Sequence, residues 1–185
     1  METHYMDVKP LFYKELGLEI GESVEEDKHW HNCHEIIWLF RGAGLCFTEG
    51  KNVLLKDNSI HICNPLENHA MEVEAGSLFV RLYIPKQLVD GLDNSEFVSP
   101  SGEWTGSQIE NNRLRFIIAQ LTQCYLNKKN GYELFVQQYL IMLVICLSTY
   151  FENYSESQKY KTQTIHEIKK YIYDHYSEEL SLNRI

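Results

Sequence analysis

Between Leu18 and Ile84 the chain sustains no helical period; it runs as short apolar stretches, each closed by turn chemistry. Leu18, Ile20 and Val24 stand at even spacing among charged residues. Further stretches follow at Glu35 to Phe40, Leu45 to Thr48, Val53 to Leu55, Ser59 to Cys63, Ala70 to Glu74 and Ser77 to Ile84. In the last of these, Leu78, Val80, Leu82 and Ile84 alternate with Phe79, Arg81 and Tyr83, the period of two that a pleated strand imposes. Arg41-Gly42-Ala43-Gly44, Glu49-Gly50-Lys51-Asn52, Asp57-Asn58, Asn64-Pro65 and Ala75-Gly76 supply the turns. Many short strands at regular intervals predict an antiparallel barrel or sandwich.

The period then changes. Residues 91–106, rich in Asp, Asn, Ser, Pro and Gly, read as a connecting loop. Ser107-Gln-Ile-Glu110 is a capping box, in which the Ser hydroxyl takes one orphan N–H and the Glu reaches back for another. Leu114, Ile117, Ile118, Leu121, Tyr125 and Leu126 follow at helical spacing, and Asn130-Gly131 predicts the stop. A second helix is expected from about Tyr132 to Phe151. Its middle, Tyr139 to Leu147, is apolar all round and needs cover on more than one side, which a second copy of the chain would provide. Residues 153–164 read as a polar linker. Thr164-Ile-His-Glu167 opens another amphipathic helix with Ile165, Ile168, Ile172 and Tyr176 on one face, and Ser181 looks like a fresh N-cap.

Composition narrows the function classes. The 185 residues carry 17 Lys plus Arg against 26 Asp plus Glu, a formal net charge of −9, which argues against these residues binding phosphates directly. Five widely spaced cysteines (Cys33, Cys46, Cys63, Cys124, Cys146) with no CxxC pair form neither a disulfide framework nor a zinc finger. Reduced thiols suit a cytoplasmic location. The polar N-terminus carries no apolar core of a signal peptide. The longest apolar run, Tyr139 to Leu147, is short of the roughly 18 residues a spanning helix needs.

The one dense constellation is His29-Trp-His31-Asn-Cys-His34-Glu35. On an extended segment His29, His31, Cys33 and Glu35 share parity and can face one cavity. His69, in Pro65-Leu-Glu-Asn-His69, offers a further imidazole from the far end of two intervening hairpins. Three His and one Glu make a site for iron, manganese, nickel or zinc with open positions, able to activate oxygen or water. The bland alternative is mutual hydrogen bonding of buried polar groups. His34 and His61 have the opposite parity and are expected to face outward. Trp38, Phe47 and Tyr83 are aromatics on barrel strands, where packing is the commoner role and stacking on a ligand the rarer one. Arg41 suits either carboxylate recognition or a solvated rim.

His29-x-His31-x3-Glu35-x6-Gly42 resembles the first motif of the cupins, and Leu55-Lys56-Asp57-Asn58-Ser59 through Pro65-x3-His69 resembles the second. In the second, Asn58 replaces a leading Gly, and the Pro-to-His interval lacks its central Gly and is one residue short. Over a longer span, HWHNCHEIIWLFRGAG followed by LKDNSIHICNPLENHA is similar to the sensor domain of AraC-type transcriptional regulators. The stretch from Ile165 to Leu182 resembles the opening helix of their helix-turn-helix DNA-binding domain. The resemblance implies an α+β chain: a cupin-type antiparallel β-barrel (double-stranded β-helix) over residues 1–90 with an N-terminal arm, a connecting loop at 91–106, and an antiparallel helix pair for dimerisation at 107–152. A linker at 153–164 and the first helix of a truncated DNA-binding domain at 165–185 complete it. It further implies a homodimer that binds a small-molecule effector, such as a sugar or related metabolite, at His29, His31, Glu35, His69, Trp38 and Tyr83. DNA would be contacted only through the C-terminal domain, with no membrane partner, no catalysis and no cofactor. AraC-type sensors often keep the HxH…E pattern without a metal. A divalent transition metal held by His29, His31, Glu35 and His69 is the alternative, and with it a cupin dioxygenase or isomerase.

Overall fold

The computed structural model describes residues 17–48, 51–86, 89, 102–103, 107–151, 167–168, 171 and 175. Among them the strands are β1 (Gly17–Gly21), β2 (Val24–His29), β3 (Cys33–Arg41), β4 (Gly44–Thr48), β5 (Lys51–Leu55), β6 (Ile60–Cys63), β7 (His69–Val73), β8 (Leu78–Pro85) and β9 (Gly102–Glu103). Two helices follow, α1 (Gln108–Asn127) and α2 (Tyr132–Phe151). Five strands form one sheet in the order β1-β8-β3-β6-β9, and four form another in the order β2-β7-β4-β5, every pair antiparallel. The fold is of the cupin-type α+β class. β9 corrects the expectation of an unbroken loop at 91–106: its two residues pair with Ile62 and His61.

Cross-strand partners share a face, so the register assigns every side chain of the larger sheet to one of two surfaces. On one lie Leu18, Leu82, Ile36 and Ile62 in one row and Ile20, Val80, Trp38 and Ile60 in the next. That surface packs against Leu114, Ile117, Ile118 and Leu121 of α1 and Val136, Leu140, Leu143 and Val144 of α2 as a single cluster. On the other lie Tyr83, Glu35 and Cys63, then Glu19, Arg81, Ile37 and His61, then Phe79 and Leu39. This second surface meets the inner face of the smaller sheet. Ile37, Leu39 and Phe79 join Cys46, Leu55, Met71 and Val73 in a separate apolar cluster that fills one end of the barrel.

The turns explain two departures from the cupin pattern. Asn58 adopts a left-handed conformation (φ 64°), which Asn tolerates better than most residues, so the missing Gly is replaced without a change of turn. Leu66, in the shortened Pro65-to-His69 interval, is also left-handed (φ 62°), and its N–H donates to the His31 carbonyl at 2.8 Å. That bond pins the loop carrying His69 against the backbone of the HxH segment. Gly42 (φ 108°) is a true glycine position, because a Cβ there would run into Ser77.

The capping box forms as the sequence predicts: Glu110 N–H donates to Ser107 Oγ at 3.3 Å and Ser107 N–H to Glu110 Oε2 at 2.7 Å. α1 ends with left-handed Lys128, whose N–H donates to the Cys124 carbonyl at 3.0 Å, slightly before the predicted stop. By length and composition Tyr132–Thr149 is apolar enough to cross a bilayer, a longer segment than the run at Tyr139 to Leu147 suggested. One side of this helix is nevertheless buried in the cluster with the sheet and α1. Leu134, Phe135, Ile141, Met142 and Ile145 lie on the uncovered side, the last 57% exposed. Of the segment after residue 164, Glu167, Ile168, Tyr171 and His175 are helical, and His175 Nδ1 donates to the Tyr171 carbonyl at 2.8 Å. The arm at 1–16, the linker at 153–164 and the Ser181 cap lie outside the described residues.

Candidate functional site

The end of the barrel opposite the apolar cluster is polar. His29 ends β2, His31 follows in the connection to β3, Glu35 lies in β3 and His69 opens β7. His29 and His69 are cross-strand partners, and Thr48 of β4 lies beyond His69 in the same row. One ligand atom from each of His29, His31, Glu35 and His69 falls within 4.8 Å of all the others. The sequence parity of His29, His31 and Glu35 therefore brings them to one place, and the loop pinned by Leu66 brings His69 to it.

Hydrogen bonds orient the rings. His29 Nδ1 donates to the Asp27 carbonyl at 2.9 Å and His69 Nδ1 to the Glu67 carbonyl at 2.8 Å, leaving Nε2 of each as the free lone pair in the neutral ring. His31 donates from Nε2 to Glu35 Oε2 at 2.9 Å and accepts from the Cys33 thiol at Nδ1, 3.0 Å away. Tyr83 closes the cluster, its ring 5.5 Å from that of His31 in an edge arrangement.

Glu35 is fully buried. Burial opposes its charge, but the hydrogen bond to His31, the facing His69 ring and the nearby Arg81 guanidinium outweigh burial and hold its carboxyl well below the usual carboxylate range. His69 is also buried; burial opposes its protonation, and the Glu35 carboxylate with the Glu67 carbonyl outweighs that and raises its pKa. His69 Nε2 lies 3.4 Å from Glu35 Oε2 without a hydrogen bond. A neutral His69 would set a lone pair against a carboxylate; only a second proton on the ring or a cation between the groups relieves this. With its proton moved to Nδ1, facing Cys33 Sγ, His31 offers an Nε2 lone pair beside those of His29 and His69. The donor set of three imidazole nitrogens and one carboxylate oxygen then fits a divalent iron, manganese, nickel or zinc ion, for which it would leave coordination positions open.

The other candidate residues distribute as follows. Trp38 belongs to the helix-facing cluster with Ile36 and Ile60, not to the polar end, and its ring meets Phe40 edge-on. This corrects its assignment to the ligand site: Ile36 and Trp38, of the same parity on β3, pack toward the helices. Tyr83 lies on the inner surface, its ring beside His31. Arg41 is exposed at the rim. His34 faces away from the barrel interior as predicted, opposite Ile84, yet it is buried there by the helix side. His61 contradicts the expectation of an outward position. It lies inside the barrel in the row of Ile37 and Arg81, bonded through Nε2 to Thr48 Oγ1 at 2.9 Å, and burial lowers its pKa to about 4.

Sequence reasoning missed Arg81. It is buried at the centre of β8, where it holds Glu19 of β1 and Glu26 of β2 and lies 3.7 Å from Glu35 Oε1. The signal was an Arg centred in an apolar strand, on the parity opposite that of Val80 and Leu82. With two surfaces of the sheet covered, a mid-strand charge marks an interior polar site rather than solvent.

Residues 19–144 match the family model of the AraC-like ligand binding domain. No curated protein matches the chain. Among solved structures, ToxT from Vibrio cholerae is similar at a TM-score of 0.52 and 10% identity, covering 77% of this chain and 58% of ToxT. The AraC-like transcriptional activator CuxR is similar at 0.50 and 7% identity, covering 70% of this chain and 51% of CuxR. An RmlC-like cupin from Shewanella frigidimarina aligns at 0.36 and 16% identity over 45% of this chain and 85% of that one. The chain thus spans little more than half the length of the two regulators.

Proposed function

Because the chain belongs to the AraC-like ligand-binding domain family, we propose that it is the effector-binding and dimerisation region of an AraC-type transcriptional regulator. The observation that carries the reading is the convergence of His29, His31, Glu35, His69 and Tyr83 inside the barrel that the family match covers. A small molecule entering this end would meet two imidazole Nε2 atoms, a carboxylate and a phenol, a set suited to the hydroxyls of a sugar or related metabolite, or to a metal ion. Binding acts on transcription only if the effector prefers one arrangement of the sensor and its DNA-binding units. Those units, on this reading, begin at residues 165–185, and the protein works in the cytoplasm.

The dimer surface we assign to the uncovered faces of the helix pair. Leu134, Ile141 and Ile145, with Gln138 between them, follow a three-to-four spacing along α2, and Phe135 and Met142 flank them. α1 adds Ile109, Phe116 and Leu126. A stripe of this kind suits a second copy in an isologous contact, where each helix meets its own symmetry mate.

Native mass spectrometry of the protein purified without added metal or chelator tests the reading, followed by thermal shifts with sugars and divalent metals. A doubled mass and stabilisation by one ligand class are expected. A monomer carrying a stoichiometric transition metal and turning over a substrate with oxygen would instead favour the dioxygenase or isomerase reading, to which the open donor set lends its support. A dimer that no ligand stabilises would leave a dimerisation module alone.

A further inference from the structure

Arg81 touches more of the polar interior than any role in packing requires. Its Nε donates to Glu19 Oε2 at 2.7 Å and its Nη2 to Glu26 Oε1 at 2.8 Å; Nη2 also meets Glu19 Oε2 and Nη1 meets Glu26 Oε2. Nη1 then faces Glu35 Oε1. The three carboxylates come from three strands in two sheets: Glu19 on β1 and Glu35 on β3 in the larger, Glu26 on β2 in the smaller. Among the described residues β1 and β2 are both edge strands, each paired on one side only. Between Glu26 and His29 the pairing of β2 with β7 shifts register, and this irregularity aims His29 at the cluster. The guanidinium therefore holds β2 just before the kink that places one histidine, while facing the carboxylate that bonds His31 and lies against His69.

We propose that Arg81 is the positioning residue of the His29/His31/Glu35/His69 cluster, tying Glu35 and the approach to His29 to β1 and β2 so that filling the cluster tightens the first two strands. The proposal rests on the reading of the cluster as a ligand site and uses its fit to a divalent cation. A planar fork with five donors is what the geometry demands, since no single point charge reaches Glu19, Glu26 and Glu35 together. Three carboxylates around one guanidinium also leave the pocket negative in balance, which favours a cation at the histidines.

The test is a Co2+ titration followed by visible absorption, paired with hydrogen exchange of the backbone amides of β1 and β2, on the full chain. The unaltered protein is expected to bind Co2+ and to slow exchange in residues 17–29. Arg81→Lys, which keeps the charge and loses the fork, is expected to weaken Co2+ roughly tenfold, the scale of partners that orient metal ligands, and to abolish the slowing. Glu26→Gln removes one anchor at a partly exposed position, leaves the Arg81–Glu19 pair, and is expected to weaken Co2+ less than Arg81→Lys does while still reducing the slowing of exchange in residues 17–29; it carries the test if Arg81→Lys does not fold. Variants that bind Co2+ and protect residues 17–29 like the unaltered protein would overturn the positioning role while the cluster stands as a site. An unaltered protein that ignores Co2+ would overturn the cation reading of the cluster, and the proposal with it, before any variant is compared.

Discussion

The two surfaces of the larger sheet are made by alternate residues of the same strands, yet they obey different rules. The helix-facing surface is an apolar layer interrupted by His34: Leu18, Ile36, Trp38, Ile60, Ile62, Val80, Leu82 and Ile84 share one cluster with both helices. The inner surface divides lengthwise. Leu39 and Phe79 close an apolar end, while Glu35, Arg81, Tyr83 and His61 line a polar one. Burial is nearly complete on both sides, as Ile36 and Glu35 show, so burial alone does not separate packing from function. What separates them is how the polar atoms are grouped: Arg81 meets three carboxylates, and His69 Nε2 faces the Glu35 carboxylate without a hydrogen bond.

The largest expected effect lies on the helix-facing surface. Ile36 and Leu143 are fully buried in it, one from the sheet and one from α2. Ile36→Ala or Leu143→Ala should each lower unfolding free energy by about 2–5 kcal/mol, the range for large-to-small changes in a core. Urea unfolding monitored by Trp fluorescence measures it. Co2+ or effector affinity of the folded fraction should be unchanged, because none of the cluster's side chains touches that surface. On the inner surface His69→Gln should do the reverse, changing ligand affinity much more than stability. A Leu143→Ala protein with lost affinity at full folding would erase the distinction.

A smaller effect, with a pH signature, belongs to His61. Its folded pKa is depressed to about 4 by burial, against about 6.5 in an unfolded chain. Between those values the unfolded state binds the proton and the folded state does not, so stability rises with pH across that window and falls as pH drops from 6.5 towards 4. The full difference is about 3 kcal/mol. His69, whose pKa is raised, works in the opposite sense: its contribution is present below about 6.5 and is lost as pH rises through its folded value. The two are separated by comparing the unaltered protein with His61→Asn at a series of pH values. The stability lead of the unaltered protein should shrink steadily between pH 6.5 and 4. A constant lead would mean that His61 takes its proton inside the barrel.

The distinction between the two surfaces was only half legible in the sequence. Alternation in Leu78 to Ile84 predicted a strand correctly, and HxH with Glu35 predicted a convergence that the register delivers. Alternation does not say which parity points inward, however, and helices covering the outside of the barrel bury both parities. That is why Trp38 reads as a cavity aromatic and His61 as an outward one when each is the other way round. β9 was invisible because two residues carry no period, and among the described residues it pairs with β6 alone. Arg81 was missed for a related reason. Its partners Glu19 and Glu26 lie 62 and 55 residues away, a separation no local pattern spans.

The smallest expected effects compare two left-handed residues, one in the barrel and one on the helix pair. Lys128 closes α1 at φ 38° with its side chain exposed, and a Cβ in that conformation costs about 1 kcal/mol relative to glycine. Its ammonium lies 4.9 Å from the Tyr125 ring centroid, which returns about 0.5 kcal/mol. Lys128→Gly should therefore stabilise by about 0.5 kcal/mol, read as a small rise in the urea midpoint at unchanged slope. Leu66 has the same backbone strain but a buried side chain, worth about 2 kcal/mol. Relief of the strain recovers only about half of that, so Leu66→Gly should destabilise by about 1 kcal/mol. It should also loosen the loop that carries His69 and weaken ligand binding, whereas Lys128→Gly leaves binding untouched. Two substitutions to the same residue at left-handed positions would then differ in sign, because in the barrel the strained residue is held by buried packing and at the helix end only by its own turn and an exposed contact with Tyr125.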